Sequence, residues 1–193
     1  MQPVGLLLAA GLGSRYDPSG RSLKLLQPVT SGPQAGLPIA QAAARTLAAA
    51  GIRCFAVVRP LDDPHQTELH ALLRSEGCEL VICEHAADGM GASLACGVRA
   101  TEDADGWIVA LGDMPMIAPA TVISVVAALR TGHATVAPTW QGRRGHPVGF
   151  AAACREELLH LQGDRGARDV LVAHPPHLID VDDPGILADI DHS

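Results

Sequence analysis

Aromatic residues are scarce in this chain, which has two tryptophans, two phenylalanines and one tyrosine among 193 residues. Hydrophobic residues still make up 48% of the chain and charged residues only 18%, so a large aliphatic core can form. The chain also lacks an excess of positive charge, because its formal net charge is −7. Acidic chains bind nucleic acid and anionic membranes poorly unless a local basic site attracts them. We therefore expect neither nucleic acid nor a membrane as a partner.

The five cysteines and nine histidines form no C-x-x-C pair, no H-E-x-x-H motif and no Cys/His cluster in the sequence. This spacing favours buried, reduced thiols of a cytosolic protein, and it disfavours a zinc site. No signal-type apolar core follows a basic segment, and no apolar run approaches the roughly 18 residues that a membrane helix needs. We expect a soluble, cytoplasmic protein.

Strand-like apolar runs alternate with helical segments along the chain. Strands are predicted at residues 4–10, 52–58, 79–83, 107–111, 134–138, 177–181 and in a short segment ending at 150. Helices are predicted at residues 37–50, 64–75, 91–100, 119–130, 154–161, 184–190 and in a short piece ending at 172. This alternation predicts an α/β fold with a mostly parallel sheet between two layers of helices. No repeat or interdomain linker interrupts it, so we expect one domain over residues 1–193.

A buried strand meets a glycine-rich turn near the N-terminus, in the sequence Leu8-Ala-Ala-Gly-Leu-Gly-Ser-Arg15. Gly11 and Gly13 have no Cβ, so the backbone can approach a ligand closely, and N–H groups in such a turn bind anions. Arg15 and Lys24 add positive charge. The pattern predicts a phosphate site, although the sequence matches neither the dinucleotide-binding fingerprint nor the Walker A motif. The alternative is a plain turn with a solvated arginine.

Two aspartates follow predicted strands further along the chain. Asp113 lies in Gly112-Asp-Met-Pro115, and Asp182 lies in Asp180-Val-Asp-Asp-Pro184. Ligands in open α/β sheets bind outside the carboxyl ends of the strands, and Mg²⁺ prefers one or two carboxylates with substrate phosphates. Asp113 is therefore a candidate magnesium ligand, and Asp182 a possible second one. The alternatives are a turn-forming aspartate at 113 and a helix cap at 182.

With these pieces assembled, the chain resembles the MobA-like nucleotidyltransferases, and within them the molybdopterin cytidylyltransferase branch. Seven motifs occur in the order of that family: Leu8 to Arg15, Lys24-Leu-Leu, Gly89-Met-Gly-Ala-Ser-Leu94, Leu111-Gly-Asp-Met-Pro115, Gly145-His-Pro147, Gly163-Asp-Arg-Gly-Ala-Arg168 and Asp180 to Pro184. The resemblance covers nearly the whole chain. It implies a single-domain, Rossmann-like three-layer sandwich of the nucleotide-diphospho-sugar transferase type.

The resemblance also implies roles for individual residues. Catalysis would rest on Arg15, Lys24 and Asp113, with Mg²⁺ on Asp113 and with Asp182 as a candidate second ligand. His146 and Arg168 would face the acceptor, although His146 is equally consistent with a hydrogen-bonded turn. The nucleotide would contact Leu8, Ala9, Ala10, Gly11, Gly13, Ser14, Arg15, Lys24, Gly89, Met90, Ser93 and Asp113.

One segment departs from the pattern of the family. Members commonly have fewer residues between the arginine and the lysine, often with Asp before the lysine. Here nine steps separate Arg15 from Lys24, and Leu23 precedes the lysine. The position of Lys24 is therefore less well defined by the resemblance than that of Arg15.

The implied reaction moves a nucleoside monophosphate, CMP from CTP, onto a phosphorylated acceptor such as molybdopterin, and it releases pyrophosphate. A phosphate monoester is largely ionised at neutral pH, so no general base is required. CTP is favoured over GTP by Ala10, and the finished cofactor would serve a molybdoenzyme. The alternatives are a nucleotidylyltransferase for sugar phosphates or other small phosphates, and a non-catalytic factor that binds or inserts the cofactor.

Overall fold

The sheet has eight strands within residues 2–11 and 22–190, which the computed structural model describes. The strands are β1 (Val4–Leu8), β2 (Cys54–Val58), β3 (Glu79–Ile82), β4 (Gly106–Leu111), β5 (Thr135–Trp140), β6 (Arg143–Arg144), β7 (Val148–Ala151) and β8 (His177–Asp180). The helices are α1 (Ile39–Ala49), α2 (Pro64–Ser75), α3 (Met90–Ala100), α4 (Pro119–Arg130), α5 (Arg155–Leu159) and α6 (Arg168–Ala173). The predicted alternation of strands and helices is confirmed.

The strand order is β3-β2-β1-β4-β7-β5, and β6 and β8 both pair with β5. The first four strands are mutually parallel, and β8 is parallel to β5, as the sequence predicts. β7 runs antiparallel to both of its neighbours. Its apolar residues look the same in either direction, so hydrophobic patterning alone cannot reveal this reversal.

Helices cover both faces of the sheet, and each face has its own apolar cluster. On one face, Leu7, Ile108 and Ala110 pack with residues of α1, α2 and α4. On the other face, alternate residues such as Leu6 and Val109 pack with residues of α3, α5 and α6. Strands buried on both faces read as continuous apolar runs, which is why Val4–Leu8 and Gly106–Leu111 are easy to recognise. No helix of the described ranges combines the length and the apolar character that a membrane crossing requires.

Several predicted boundaries are wrong. The helix predicted at 154–161 is a 3₁₀ turn (Ala152–Cys154) followed by α5, and the helix predicted at 184–190 is a 3₁₀ turn (Pro184–Leu187). Arg143 and Arg144, predicted to lie in a turn, form the short strand β6. The 3₁₀ turn and α5 have no side-chain cap, and the Asp183 cap before Pro184 starts only a single turn. Tertiary contacts decide how far such brief segments continue.

Candidate active site

The ends of β1 and β4 lie side by side at the carboxyl edge of the parallel strands. Leu8 is in register with Leu111, and the Gly112 N–H donates to the Leu8 carbonyl oxygen at 2.9 Å. A Cβ at Gly112 would lie 3.0 Å from that oxygen, so the two chain segments touch through glycine. This contact places Asp113 beside Ala9, where the glycine loop begins.

Lys24 and Asp113 form an ion pair at this edge. The Lys24 Nζ lies 2.8 Å from the Asp113 Oδ2, and the two side chains are 11% and 28% exposed. Lys24 opens a 3₁₀ turn (Lys24–Leu26) that is held by the buried side chain of Leu25. The structure thus brings together the cation and the candidate magnesium ligand that the sequence could only name separately. Lys24 is also the only lysine in the chain.

Part of the predicted phosphate loop lies outside the described residues. Gly13, Ser14 and Arg15 belong to that part. Gly11 is exposed, and a Cβ placed on it would meet no described atom within 4 Å.

Ala9 and Ala10 are buried on different faces of the sheet. Ala9 belongs to the cluster that packs with α1, whereas Ala10 packs with Val57 and Cys83. The Ala9 N–H donates to the Val57 carbonyl at 2.9 Å, so strand-like pairing continues past Leu8. The Ala10 methyl group is thus held in a fixed position beside the predicted nucleotide site.

Two glycine motifs that are distant in sequence pack against each other. Gly89 has a φ of 120°, and a Cβ there would collide with the backbone of Gly163 and approach Asp164 Oδ1 within 2.5 Å. A Cβ at Gly91 would lie 2.8 Å from the Gln162 carbonyl oxygen. The loop that leads to α6 is therefore fixed on the N-terminus of α3. The first motif was predicted to bind the nucleoside, and the second motif to face the acceptor.

The remaining predicted residues of these two motifs differ in exposure. Met90 is 44% exposed and contributes its sulfur to the contact with Gly166. Ser93 is buried, and its hydroxyl donates to the Gly89 carbonyl at 3.4 Å. Arg168 is exposed at the start of α6. Ser93 thus supports the turn before α3, while Met90 and Arg168 can be reached by a ligand.

His146 is largely buried close to the same edge. Its Nδ1 is buried and has no hydrogen-bond partner among the described residues. Burial lowers the pKa of the His146 imidazole below its usual value. The negative charge of Asp113 acts in the opposite direction but does not outweigh burial, and the positive charge of Arg144 lowers the pKa further. His146 therefore carries a neutral ring near Asp113 at neutral pH.

The turn at Pro184–Leu187 links three of the motifs. The Ile186 carbonyl accepts from the His146 N–H at 3.0 Å. A Cβ on Gly145 would collide with Ile186, and a Cβ on Gly185 would collide with Met116, so both contacts require glycine. Just beyond the turn, the Ile190 N–H donates to the Asp113 carbonyl at 3.1 Å. These contacts fix the segment around Asp113 against the end of the chain.

Asp182 and Asp183 have different environments. Asp182 is exposed, whereas Asp183 is buried and accepts from the Ala118 N–H at 2.8 Å, the Thr121 hydroxyl at 2.6 Å and the Gly185 N–H at 3.0 Å. Asp183 is not among the site residues predicted from the sequence, although the Asp-Pro pair signals a cap at that position. Asp182 as a metal ligand stays a prediction.

The residues at this edge fit a magnesium ion bound mainly through its substrate. Asp113 offers a partly exposed carboxylate, and hard carboxylate oxygens suit Mg²⁺ or Mn²⁺. Asp113 belongs to no group of three ligating side chains in the described parts of the chain. One or two carboxylates with several phosphate oxygens is the usual arrangement for Mg²⁺ beside a nucleotide.

Comparison with known proteins gives a family match over most of the chain. The sequence model of the MobA-like NTP transferase domain matches residues 5–178. Nicotine blue oxidoreductase of Paenarthrobacter nicotinovorans is 32% identical over 187 residues, which cover 93% of this chain and 86% of that protein.

Solved structures share the fold. Rv0371c from Mycobacterium tuberculosis H37Rv has a TM-score of 0.80 at 24% identity, over 100% of this chain and 94% of that chain. A structure of Rv0371c in complex with manganese has a TM-score of 0.73 at 22% identity, over 94% and 88% of the two chains. Molybdopterin-guanine dinucleotide biosynthesis protein A from Archaeoglobus fulgidus has a TM-score of 0.63 at 18% identity, over 92% and 83%.

Proposed function

Since the chain belongs to the family of MobA-like NTP transferase domains, we propose that it transfers CMP from CTP to a phosphorylated small molecule, with molybdopterin as the first candidate acceptor. The observation that carries this proposal is the Lys24–Asp113 pair at the carboxyl edge, beside the start of the glycine loop. A cation for phosphates and a carboxylate for a divalent ion are the two groups that nucleotidyl transfer requires at one place.

The proposed step is a displacement at the α-phosphorus of CTP. An ionised phosphate oxygen of the acceptor forms a bond to the α-phosphorus, the bond between this phosphorus and the oxygen that bridges to the β-phosphate breaks, and pyrophosphate leaves with the electron pair. The acceptor already carries its charge at neutral pH, so no residue has to remove a proton. Positioning and charge neutralisation then supply the rate acceleration.

Each residue at the edge has a part in this scheme. Lys24 would neutralise phosphate charge, together with Arg15 and the glycine loop at Gly11 and Gly13. Asp113 would hold Mg²⁺, which neutralises phosphate oxygens when bound and makes the α-phosphorus more electrophilic. The manganese complex of Rv0371c supports a divalent ion of this class.

The acceptor would lie on the side of His146 and Arg168. A neutral His146 ring can hydrogen-bond to an acceptor without competing with Mg²⁺ for phosphate charge, and exposed Arg168 can pair with an anionic group. The finished cofactor would pass to a molybdoenzyme client. Support for molybdopterin comes from the sequence motifs and from the fold shared with the molybdopterin-guanine dinucleotide protein.

Product analysis with matched substrates tests the proposal. The purified chain is incubated with Mg²⁺ and each of the four NTPs, with molybdopterin, a hexose 1-phosphate or no acceptor. We expect pyrophosphate release that requires molybdopterin, is fastest with CTP and gives a dinucleotide product of the corresponding mass. If pyrophosphate is released with the hexose 1-phosphate and not with molybdopterin, the acceptor is a sugar phosphate instead of molybdopterin. No pyrophosphate with any pair, from folded protein that binds CTP and Mg²⁺, would contradict nucleotidyl transfer.

A second candidate function follows from the relative in Paenarthrobacter nicotinovorans, which is named as an oxidoreductase. A glycine loop that binds a triphosphate would also bind the diphosphate of a dinucleotide, because both ligands present phosphate oxygens to backbone N–H groups, although this loop lacks the dinucleotide fingerprint. The direct test is the bleaching of nicotine blue with a reduced nicotinamide dinucleotide as electron donor. Bleaching that needs the protein, without pyrophosphate release in the first assay, would favour this second function.

A further inference from the structure

Three side chains with metal-binding atoms converge in a part of the molecule that the proposed transfer does not use. They are Cys154, Glu157 and His174, and their ligand atoms all lie within 4.8 Å of one another. Cys154 ends a 3₁₀ turn, Glu157 lies in α5 and His174 follows α6. The sequence spacing gave no Cys/His cluster, so the fold alone creates this group.

The group lies at the end of the sheet opposite to Asp113. Cys154 Sγ contacts the carbonyl of Ala134, directly before β5, and the first residue of β5 pairs with Phe150, which pairs in turn with Trp107 near the start of β4. Asp113 follows the other end of β4, six residues beyond Trp107. At about 3.3 Å per residue the two regions are separated by roughly 20 Å.

We propose that Cys154, Glu157 and His174 form a binding site for Zn²⁺ or a similar borderline-soft divalent ion. Thiolate sulfur and imidazole nitrogen are ligands that select zinc or cobalt over magnesium, and one carboxylate completes a three-residue set. Glu157 and His174 are partly exposed, so a water molecule can take the fourth position. The site is independent of the proposed nucleotidyl transfer.

The backbone at one of the three ligands, His174, is already fixed. The Thr135 hydroxyl donates to the His174 carbonyl at 2.7 Å. His174 is also held by its own N–H, which donates to the Val170 carbonyl at 2.8 Å. Such supporting contacts orient metal ligands before the ion arrives.

The side chains must exchange one contact for another to accept an ion. His174 Nε2 lies 2.9 and 3.0 Å from the two Glu157 carboxylate oxygens in a hydrogen bond, which an ion bound by both groups would replace. Burial and the charge of Glu157 raise the pKa of the Cys154 thiol to about 11. Without metal the thiol therefore keeps its proton, and binding of Zn²⁺ to the thiolate releases that proton to solvent.

Co²⁺ is the probe for the test, because a thiolate ligand gives Co²⁺ a charge-transfer absorption in the near ultraviolet. The full chain is stripped with a chelator, kept reduced with a phosphine and titrated with Co²⁺ in an Asp113→Asn background, which removes the predicted magnesium ligand. We expect one equivalent of Co²⁺ to produce the band as the thiol gives up its proton to solvent, and Zn²⁺ to displace the Co²⁺ and abolish the band without further proton release.

Single variants assign the site. Cys154→Ser should abolish the band. His174→Gln and Glu157→Gln should each weaken Co²⁺ and Zn²⁺ binding by at least about 10–100-fold, because a loss of this size is typical even for residues that only hydrogen-bond to a metal ligand. His174 and Glu157 are partly exposed, so their variants keep the test valid if Cys154→Ser does not fold. Cys96→Ser and His85→Gln are the matched controls, a half-exposed cysteine and an exposed histidine outside the group.

The titrations have two clear readings. A band that persists in His174→Gln and Glu157→Gln at unchanged affinity, or that disappears in Cys96→Ser, would overturn the proposal. Absence of any thiolate band in the folded parent protein would overturn it as well. A rise in melting temperature with Zn²⁺ that is retained in both controls and lost in His174→Gln would support it.

Discussion

Lys24 Nζ and Asp113 Oδ2 lie 2.8 Å apart although 89 positions separate the two residues in the chain. The pair joins the end of the predicted phosphate loop to the end of β4. In the proposed transfer, a triphosphate would attract the lysine and repel the aspartate unless a divalent cation compensates the carboxylate. We therefore expect the pair to couple nucleotide binding to metal binding.

Replacing Asp113 by Asn should abolish divalent-metal-dependent turnover while the fold survives. Asn keeps an oxygen that can accept from Lys24 but has no charge for the cation, so we expect a loss of at least about 100-fold in kcat. Pyrophosphate release at saturating CTP and Mg²⁺ measures the effect, and thermal unfolding should show little change. Asp180→Asn, an exposed carboxylate at the end of β8, is the matched control. Equal turnover in both variants would remove Asp113 from the metal site.

Replacing Lys24 by Ala should weaken CTP binding and leave cytidine binding unchanged. A charged hydrogen bond contributes about 1.5–3 kcal/mol, so we expect a loss of about 10–100-fold in CTP affinity, measured by calorimetry with Mg²⁺. Lys24→Arg should recover part of the loss because the charge remains. Unchanged CTP affinity in Lys24→Ala would show that another cation serves the phosphates.

Chemical labelling gives a second view of the same residue. Lys24 is the only lysine, so an amine-selective reagent can modify only its side chain and the α-amino group of the chain. CTP with Mg²⁺ should protect the side chain, and cytidine should not. Labelling that is equally fast with and without CTP would contradict a contact between Lys24 and the phosphates.

The sequence predicts the local elements of this site well, but it does not predict which of them contact each other in the fold. Alternating apolar runs identified the strands, and glycine-rich turns identified where they end, because both signals are local. The contact of Gly89 with Gly163, the reversed direction of β7 and the grouping of Cys154 with His174 depend on long-range packing. No spacing rule reports such contacts.

The two aspartates at 182 and 183 illustrate this limit in detail. Both follow β8, and sequence reasoning singled out Asp182 as a possible metal ligand. The structure buries Asp183 instead, where it binds the start of α4 through Ala118 and Thr121. The Asp-Pro pair signals the local cap on Gly185, but Asp183 also binds partners that lie 62 and 65 positions away, which the local sequence does not indicate.

His146 should make stability depend on pH below neutrality. Its pKa is lowered in the folded chain, so the unfolded chain binds more protons once the pH falls below the ordinary histidine value of about 6.5. The stability that neutral His146 contributes is therefore complete above this value and decreases as the pH falls toward its lowered pKa. The slope for one such group is at most about 1.4 kcal/mol per pH unit.

Urea unfolding between pH 5 and pH 7.5 checks this expectation. The free energy of unfolding of His146→Gln should change less with pH than that of the parent chain, and the two curves should run parallel above neutrality. His85→Gln, at an exposed position, should leave the pH dependence of the parent unchanged. A steeper curve for His146→Gln would contradict the lowered pKa.

Gly89 should tolerate no side chain. Its φ of 120° is unfavourable for other residues, and a Cβ there would also strike Gly163. Gly132 also has a positive φ, 101°, with nothing within 4 Å of a Cβ, so Gly132→Ala measures the cost of a positive φ without a collision, about 1–2 kcal/mol. We expect Gly89→Ala to lose clearly more stability in urea unfolding, together with turnover. Equal losses would mean that the 163–166 loop moves aside freely.

Base choice should depend on Ala10. Its methyl group is buried against Val57 and Cys83 at the end of β1, next to the predicted nucleotide site. In the resembling family the cytidine branch has Leu-Ala-Ala-Gly at this point and the guanosine branch Leu-Ala-Gly-Gly, and a methyl group occupies space that a purine needs. We expect the parent chain to prefer CTP over GTP in kcat/KM, and Ala10→Gly to narrow the difference.

One methyl group accounts for about 1–3 kcal/mol of discrimination, so other positions must contribute as well. Ala56→Gly, which removes a buried methyl group in β2 outside the predicted nucleotide contacts, is the matched control and should leave the ratio unchanged. A preference for GTP in the parent chain would contradict the role of Ala10, and so would an equal narrowing in Ala56→Gly.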